Sequence, residues 1–433
     1  MSKSPGSFQR ALRVGRLGLG LTGSYLGYQF QNVFAAEETR GVRRQKFNQN
    51  ASRRVRQELE QLKGPLMKIG QLLSMQTQAL PEEVIAELSK LQMRAPGMHA
   101  SLARAQFFGS CGRYPEAVFR EFDPEPFAAA SLGQVHRAVT RTGERVAVKI
   151  QYPAIRAAIQ NDFKLLRSAS LPGRVTGHVP KALLDEVETG FLKETDYLNE
   201  ARNLEFFHEK LKGLPFVQVP RVLRELTTDR VLVMSHLEGW PLGEFLALRP
   251  GQALRNLIGA RMFELFQFQR FRIHAIHADP HPGNYLFDAE GRIGLVDFGC
   301  VKELSADFYE LLECLRNRVW VEGEAQRDRM IRLIWGRRVP MEGRHPRRLL
   351  QAAIDFSEAI FPPAKAASQP VDFGNPKLVT DFTRMLNESA RKKLANPEFA
   401  FSARSELGFY NLLHQLKAKV NTQEVLSRAL GLG

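Results

Sequence analysis

The chain has 433 residues, of which 44% are hydrophobic and 9% aromatic, as in a globular protein long enough for more than one lobe. Its three cysteines, Cys111, Cys300 and Cys314, lack metal-ligand spacing, which excludes a structural zinc site and is typical of a reducing compartment. The formal net charge is +15, but the basic residues are not interleaved with aromatic ones and form no recognised binding module, so we expect no nucleic acid partner.

Residues 1–54 form a basic segment for which we predict membrane association. Residues 1–56 contain eleven Lys or Arg against two Glu, and the apolar run 17–28 is too short and too rich in glycine for a spanning helix. Arginines around such a run favour attachment to anionic membrane lipids. We therefore expect a cytoplasmic protein peripheral to a membrane. The alternative is a mitochondrial transit peptide over residues 1–36, with a mature protein in the matrix and associated with the inner membrane.

Residues 55–125 are predicted to form a helical extension. Apolar residues recur at helical spacing from Leu62 to Leu73, while Lys68 and Gln71 share a different face of the same helix. An amphipathic surface helix with a solvated lysine explains this spacing equally well.

Residues 126–235 are predicted to form a small β-rich lobe that contacts a nucleotide. Four small residues before its lysine strand, Ala128, Ala129, Ala130 and Ser131, form a loop that lets the backbone approach phosphate closely. Alanine disfavours the positive φ angles that glycine allows, so we expect a stiffer loop than a glycine-rich one. Tight strand packing is the alternative explanation.

Lys149 lies in the alternating, β-branched segment 145–151, which predicts a strand. In phosphoryl-transfer sites of the kinase type, a strand lysine contacts the α and β phosphates and pairs with a glutamate from a nearby helix. An exposed strand lysine is the ordinary alternative, but the small-residue loop before it and the acidic segment after it favour the nucleotide-binding interpretation.

An acidic helix is predicted to include residues 193–203. Asp196 and Glu200 are four residues apart and would share one face, where like charges repel unless cations intervene. Glu200 is the predicted partner of Lys149, and Glu194 and Asp196 are left for another cation or a metal. A solvated acidic face is the alternative.

Segment 230–239 is predicted to be a strand that runs into a hinge, where backbone groups from Met234 to Leu237 hydrogen-bond adenine. Residues 236–433 follow as a mostly helical lobe, because their apolar residues recur at helical spacing.

Two motifs in this second lobe carry the strongest chemical signal. Asp279 precedes Asn284 by five residues, and Asp297 follows Asp279 by eighteen. The apolar stretches of residues 285–296 predict a hairpin that brings Asn284 and Asp297 to one edge. Phosphoryl transfer of the kinase type needs one carboxylate facing the reacting oxygen, and an Asn and a second Asp that hold Mg²⁺ against the phosphates of ATP. The alternative is an Asx-rich turn followed by an ordinary strand.

Together these motifs resemble the UbiB family of atypical kinase-like ATPases over roughly residues 55–310. The resemblance is carried by motifs in the same order as in the family: Lys68-Ile-Gly-Gln71, Ala128-Ala-Ala-Ser131, Val146-Ala-Val-Lys149, Glu194-Thr-Asp196, His277–Asn284 and Asp297-Phe-Gly299.

The resemblance implies an α+β, protein-kinase-like two-lobe fold with an N-terminal helical extension that covers the active site. It also implies that Lys68 engages Glu194 and Asp196. In the family, the extension blocks the groove in which a protein substrate would lie. The resemblance therefore implies an ATPase or a small-molecule kinase rather than a protein kinase. The implied role is support of ubiquinone biosynthesis, with isoprenoid quinone precursors or quinone-biosynthesis enzymes as partners. A phosphotransferase for a lipid precursor or other small molecule, and a nucleotide-gated scaffold, remain as alternatives.

Overall fold

The computed structural model describes residues 98–130, 132–168, 181–335, 344–362, 369–378 and 397–431, with residues 50 and 380. The chain divides into two compact units, one of Met1–Asn199 with Leu223–Met234, the other of Glu200–Val222 with Ser235–Gly433. Helices and antiparallel strands occur together, so the predicted α+β class is confirmed. The predicted membrane segment lies outside the described residues apart from residue 50, as does the predicted extension up to residue 97.

The helices in chain order are α1 Ala100–Cys111, α2 Pro115–Val118, α3 Ile155–Ser168, α4 Lys181–Glu194, α5 Tyr197–Lys210, α6 Leu242–Ala247, α7 Gln252–Phe268, α8 Ala306–Arg316, α9 Glu324–Trp335, α10 Arg344–Ile360, α11 Pro397–Leu416 and α12 Thr422–Leu430. The strands are β1 Phe119–Phe122, β2 Ala128–Ala130, β3 Gly133–Thr140, β4 Arg145–Gln151, β5 Val217–Gln218, β6 Val231–Ser235, β7 Trp240–Pro241, β8 Ala275–His277, β9 Tyr285–Phe287, β10 Ile293–Leu295, β11 Val301–Glu303, β12 Val371–Asp372 and β13 Lys419–Val420. Short 3₁₀ turns cover Arg224–Leu226, Pro282–Asn284 and Val319–Glu322, and a π-helical turn covers Gln269–Ile273.

The first unit is built on a five-stranded sheet in the order β1–β3–β4–β6, with β2 paired to β3. Strands β3 and β4 form an antiparallel hairpin that places Lys149 opposite Val135, so the predicted lysine strand is confirmed. Its turn contains Gly143, whose φ of 90° is accessible to glycine at little cost. Strand β4 is buried along both faces after Arg145.

Helix α1 packs on this sheet. The His99 ring accepts a hydrogen bond from the Ser101 N–H at the start of the helix, and Gly112, with a φ of 70°, ends it. Phe107 is fully buried, with its ring centroid 5.7 Å from that of Phe119, within a cluster that includes core residues of β3, β4 and β6. Burial of Ala103 and Phe107 on this face of the helix stabilises the first unit.

The predicted continuous helix over residues 193–203 is wrong. Helix α4 ends at Glu194 and α5 begins at Tyr197, so Asp196 lies between two helices. Its Oδ1 accepts a hydrogen bond from the Leu198 N–H at 3.0 Å, because a short acidic side chain satisfies the unpaired N–H groups of a new helix. Asp196 and Glu200 therefore do not share a face of one helix.

The second unit combines the helices after Ser235 with three small sheets: β5–β10–β9–β7, β8–β11 and β12–β13. Strands β9 and β10 pair antiparallel, so the predicted hairpin is confirmed. Asp288 Oδ1 closes its turn by accepting hydrogen bonds from the N–H groups of Glu290 and Arg292. Within the described residues, no helix combines the length and apolar character needed to cross a bilayer.

We expect Phe107→Ala to lower the free energy of unfolding by about 3–5 kcal/mol, because it leaves a cavity among aromatic side chains. Phe108→Ala is a matched control, since this neighbouring side chain is 44% exposed. Its effect should stay below about 1 kcal/mol. Urea unfolding of the three proteins measures both values, and equal losses for the two variants would contradict the position of α1 on the sheet.

Candidate active site

Lys149 occupies a buried position beside an aromatic ring. The residue is 4% exposed, and its Nζ lies 5.1 Å from the centroid of the Tyr197 ring at the start of α5. The ring face attracts the ammonium group and partly offsets the loss of water around it. Tyr197 was not predicted as a site residue, because the sequence shows nothing that links it to the lysine strand.

The alanine segment is a strand rather than the predicted loop. Ala128, Ala129 and Ala130 pair with the first residues of β3, and Ser131 lies outside the described residues. Gly133 begins β3, where an added Cβ would lie 2.3 Å from the Ile150 carbonyl oxygen. A larger residue would therefore disturb the hairpin beside Lys149.

The acidic residues are divided between the two units. Glu194 and Asp196 are half-buried in the first unit, and a hydrogen bond from Gln151 Nε2 to the Thr195 carbonyl, 2.9 Å long, holds the segment between them. Glu200 is 2% exposed in the second unit. The predicted pairing of Glu200 with Lys149 stays a prediction.

Lys68 and Gln71 lie outside the described residues. The predicted contact of Lys68 with the two carboxylates of the Glu-Thr-Asp motif therefore also stays a prediction.

The predicted hinge coincides with the division of the chain. Strand β6 is confirmed, Met234 is the last residue of the first unit, and Leu237 is half-buried in the second. Their contact with adenine stays a prediction.

The motif from His277 to Asn284 folds so that its two predicted site residues, Asp279 and Asn284, are in contact. Asn284 ends a 3₁₀ turn, and its Nδ2 donates to Asp279 Oδ2 at 3.0 Å and to the Asp279 carbonyl at 3.1 Å. These bonds hold the carboxylate in one orientation. Since the amide nitrogen of Asn284 faces Asp279, its Oδ1 is the atom suited to binding a metal.

Asp297 follows β10 and is held through its backbone. The His277 ring hydrogen-bonds the Asp297 carbonyl oxygen, and Asp297 Oδ1 accepts from the Gly299 N–H at 3.0 Å. The next residue, Phe298, is fully buried, and Asn203 of α5 donates its Nδ2 to the Phe298 carbonyl at 2.9 Å. Helix α5 therefore fixes the segment that carries Asp297.

His277 and Asn203 thus support the site, although neither was predicted as a site residue. His277 lies inside the first motif, which was a usable signal. Asn203 lies 95 residues before Phe298, and no local pattern indicates that contact.

The oxygen donors of Asn284 and Asp297 fit Mg²⁺. Carboxylate and amide oxygens are the ligands that this hard cation prefers. Among the described residues, no three His, Cys, Asp or Glu side chains form a metal-binding cluster, so the candidate site depends on the Asn284 amide. Burial, and secondarily the charge of Asp279, raise the pKa of the nearby Tyr285 phenol well above its usual range, so this group stays neutral.

Comparison with known proteins identifies the same kind of domain. The family model for the ABC1 atypical kinase-like domain matches residues 90–326. The protein ACTIVITY OF BC1 COMPLEX KINASE 7, chloroplastic, of Arabidopsis thaliana is 32% identical over 58% of this chain and 36% of its own length. The atypical kinase COQ8, mitochondrial, of Saccharomyces cerevisiae is 34% identical over 59% of this chain and 51% of its own. The chain thus aligns with about half or less of either relative.

A solved structure of Rv3197 from Mycobacterium tuberculosis in complex with erythromycin superimposes with a TM-score of 0.60. The match has 25% sequence identity and covers 91% of this chain and 98% of that one. The predicted kinase-like fold and the predicted UbiB membership are confirmed by these findings. The chain belongs to the ABC1 atypical kinase-like family.

Proposed function

We propose that the protein binds Mg²⁺-ATP, hydrolyses it, and thereby supports isoprenoid quinone biosynthesis at a membrane. The observation that carries this proposal is the pair of hydrogen bonds from Asn284 to Asp279, together with the fixed backbone of Asp297 in the same unit. A carboxylate for the reacting oxygen and an oxygen-donor pair for a metal are the parts that kinase-type phosphoryl transfer requires.

Asp279 orients the attacking water or hydroxyl in this proposal. One of its carboxylate oxygens is held by Asn284, so the other is available to accept a hydrogen bond from the nucleophile. Asn284 Oδ1 and the Asp297 carboxylate would hold Mg²⁺. When bound, the metal offsets the negative charge of the phosphate oxygens.

Lys149 and the alanine segment before it are the proposed phosphate-binding residues. Lys149 would contact the α and β phosphates, with Glu200 as its counter-charge, since a buried ammonium group requires compensation. Backbone N–H groups of strand β2, Ala128 to Ala130, would contact phosphate, and Ser131 would be a further phosphate donor.

The remaining proposed contacts concern adenine and the extension. Backbone groups between Met234 and Leu237 would hydrogen-bond adenine. Lys68 would meet Glu194 and Asp196, with Gln71 on the same helix face, and this extension would exclude a peptide substrate. That arrangement, implied by the family resemblance, favours an ATPase over a protein kinase.

The membrane role rests on charge and on family. The eleven basic residues of positions 1–56 favour anionic lipids, and isoprenoid quinone precursors are themselves membrane molecules. The two relatives carry the words chloroplastic and mitochondrial in their names. We propose peripheral attachment to a membrane, in the cytoplasm or on the matrix side of the mitochondrial inner membrane, with quinone precursors or quinone-biosynthesis enzymes as partners.

The metal assignment predicts the behaviour of Asp297→Asn. Removing this charge should weaken binding of ATP at least about tenfold in the presence of Mg²⁺. The metal would lose a charged ligand, and the phosphate oxygens would then lose the cation that offsets their negative charge. Thermal melting with increasing ATP, with and without Mg²⁺, measures the effect. Asp307→Asn makes the same charge change at an exposed position of the same unit and should bind as the wild type does. Undiminished Mg²⁺-dependent stabilisation of Asp297→Asn would contradict the assignment.

The proposed contact of Lys68 with Glu194 and Asp196 predicts how Lys68 variants bind nucleotides. Lys68→Ala should change the ratio of ADP to ATP affinity by several-fold, because two carboxylates near the phosphates lose their counter-charge. Lys68→Arg keeps the charge but not the shape and should restore the ratio only in part. Lys377→Ala, at an exposed lysine, is the control. Calorimetric titration measures the ADP and ATP dissociation constants. If the wild type and the three variants have indistinguishable constants, Lys68 is an ordinary surface lysine.

A further inference from the structure

Helix α11, at residues 397–416, contacts the loop that carries Asp279, although it lies beyond the residues 90–326 that the family model matches. The Ser405 hydroxyl donates to the Ala278 carbonyl at 3.3 Å. An added Cβ on Gly408 would lie 2.2 Å from Pro280 Cγ, so only glycine permits this approach without displacement. Ser405 and Gly408 are three residues apart and share a helix face. The helix therefore contacts the residues immediately before and after Asp279.

Hydrogen bonds hold the backbone of the two residues before Asp279, His277 and Ala278. The His277 N–H donates to Gln269 Oε1 at 2.7 Å, and the Ala278 N–H donates to the Cys300 carbonyl at 3.0 Å. The Ala278 carbonyl belongs to the peptide group that joins Ala278 to Asp279, and its bond to Ser405 limits rotation of that group. The orientation of this peptide group sets the direction in which the Asp279 side chain leaves the backbone.

A buried ion pair fixes α11 in this position. Arg270 Nη1 lies 3.1 Å from Glu406 Oε1, with side chains only 8% and 16% exposed, and the Tyr410 hydroxyl donates to the same oxygen at 2.7 Å. Arg270 follows Gln269, which holds His277, and Glu406 follows Ser405. The two residues that hold the loop are thus each adjacent in sequence to one member of the ion pair.

We propose that Ser405 and Gly408 are positioning residues for Asp279, and that α11 is part of the catalytic apparatus. This inference rests on the proposed function, in which Asp279 orients the attacking oxygen. A displacement of a catalytic group by about 1 Å costs on the order of 100-fold in rate. A contact that acts only on the direction of Asp279 should lower kcat and leave nucleotide binding intact.

The first test compares Ser405→Ala with Ser402→Ala in the full chain. Ser402 is buried on the same helix, but its hydroxyl has no partner among the residues that the structure describes. We expect Ser405→Ala to lower kcat for ATP turnover by about tenfold, with KM and the affinity for Mg²⁺-ATP unchanged. Ser402→Ala should keep the wild-type kcat, and Ser405→Thr, which retains the hydroxyl, should recover most of the rate.

The second test compares Gly408→Ala with Gly243→Ala. A Cβ at Gly408 must displace Pro280, whereas a Cβ at Gly243 of α6 meets no atom within 4 Å. We expect kcat to fall on the order of 100-fold for Gly408→Ala and to stay unchanged for Gly243→Ala. Thermal melting identifies a variant that fails to fold, and in that case the serine pair decides the question alone.

Asp279→Asn separates failure of this inference from failure of the proposed function. Wild-type turnover in Asp279→Asn would overturn the proposed function itself. If Asp279→Asn is inactive while Ser405→Ala retains the kcat of Ser402→Ala, or raises KM alone, the positioning role is overturned and the proposed function stands. The inference is supported if Ser405→Ala loses kcat while Ser402→Ala does not, and if Ser405→Thr recovers the rate.

Discussion

The candidate active site depends on the hydrogen bonds between the Asn284 amide and Asp279. The amide nitrogen of Asn284 orients the carboxylate, while in the proposed function its amide oxygen would bind Mg²⁺. The short 3₁₀ turn that ends at Asn284 makes this pairing possible within a single loop. Without it, the half-buried Asp279 carboxylate would lose the side-chain hydrogen bond that orients it.

Three separate parts of the second unit support the backbone next to Asp279 and Asp297. The π-helical turn holds His277 through Gln269, α5 holds the backbone after Asp297 through Asn203, and α11 holds the peptide before Asp279. Each of these three contacts is a hydrogen bond to a backbone group, so they add to the bonds that the Asn284 and Asp297 side chains make. Such preorganisation is what a site for phosphoryl transfer requires, since its catalysis relies on positioning and charge.

The sequence predicted those features that depend on neighbouring residues. The strand of Lys149 and the hairpin after Asn284 follow from alternation and turn residues, and both are present. The helix break at Asp196 was missed, because a side-chain cap overrides an otherwise helical pattern. The roles of Asn203 and Ser405 were missed because their partners lie 95 and 127 residues away, a relation that no local spacing encodes.

The most direct test of the proposed metal and nucleotide site is a structure of the protein with Mg²⁺ and a non-hydrolysable ATP analogue. We expect a metal ion bound by Asn284 Oδ1 and the Asp297 carboxylate, with the terminal phosphate facing Asp279. A nucleotide bound with its metal in contact with neither Asn284 nor Asp297 would contradict it.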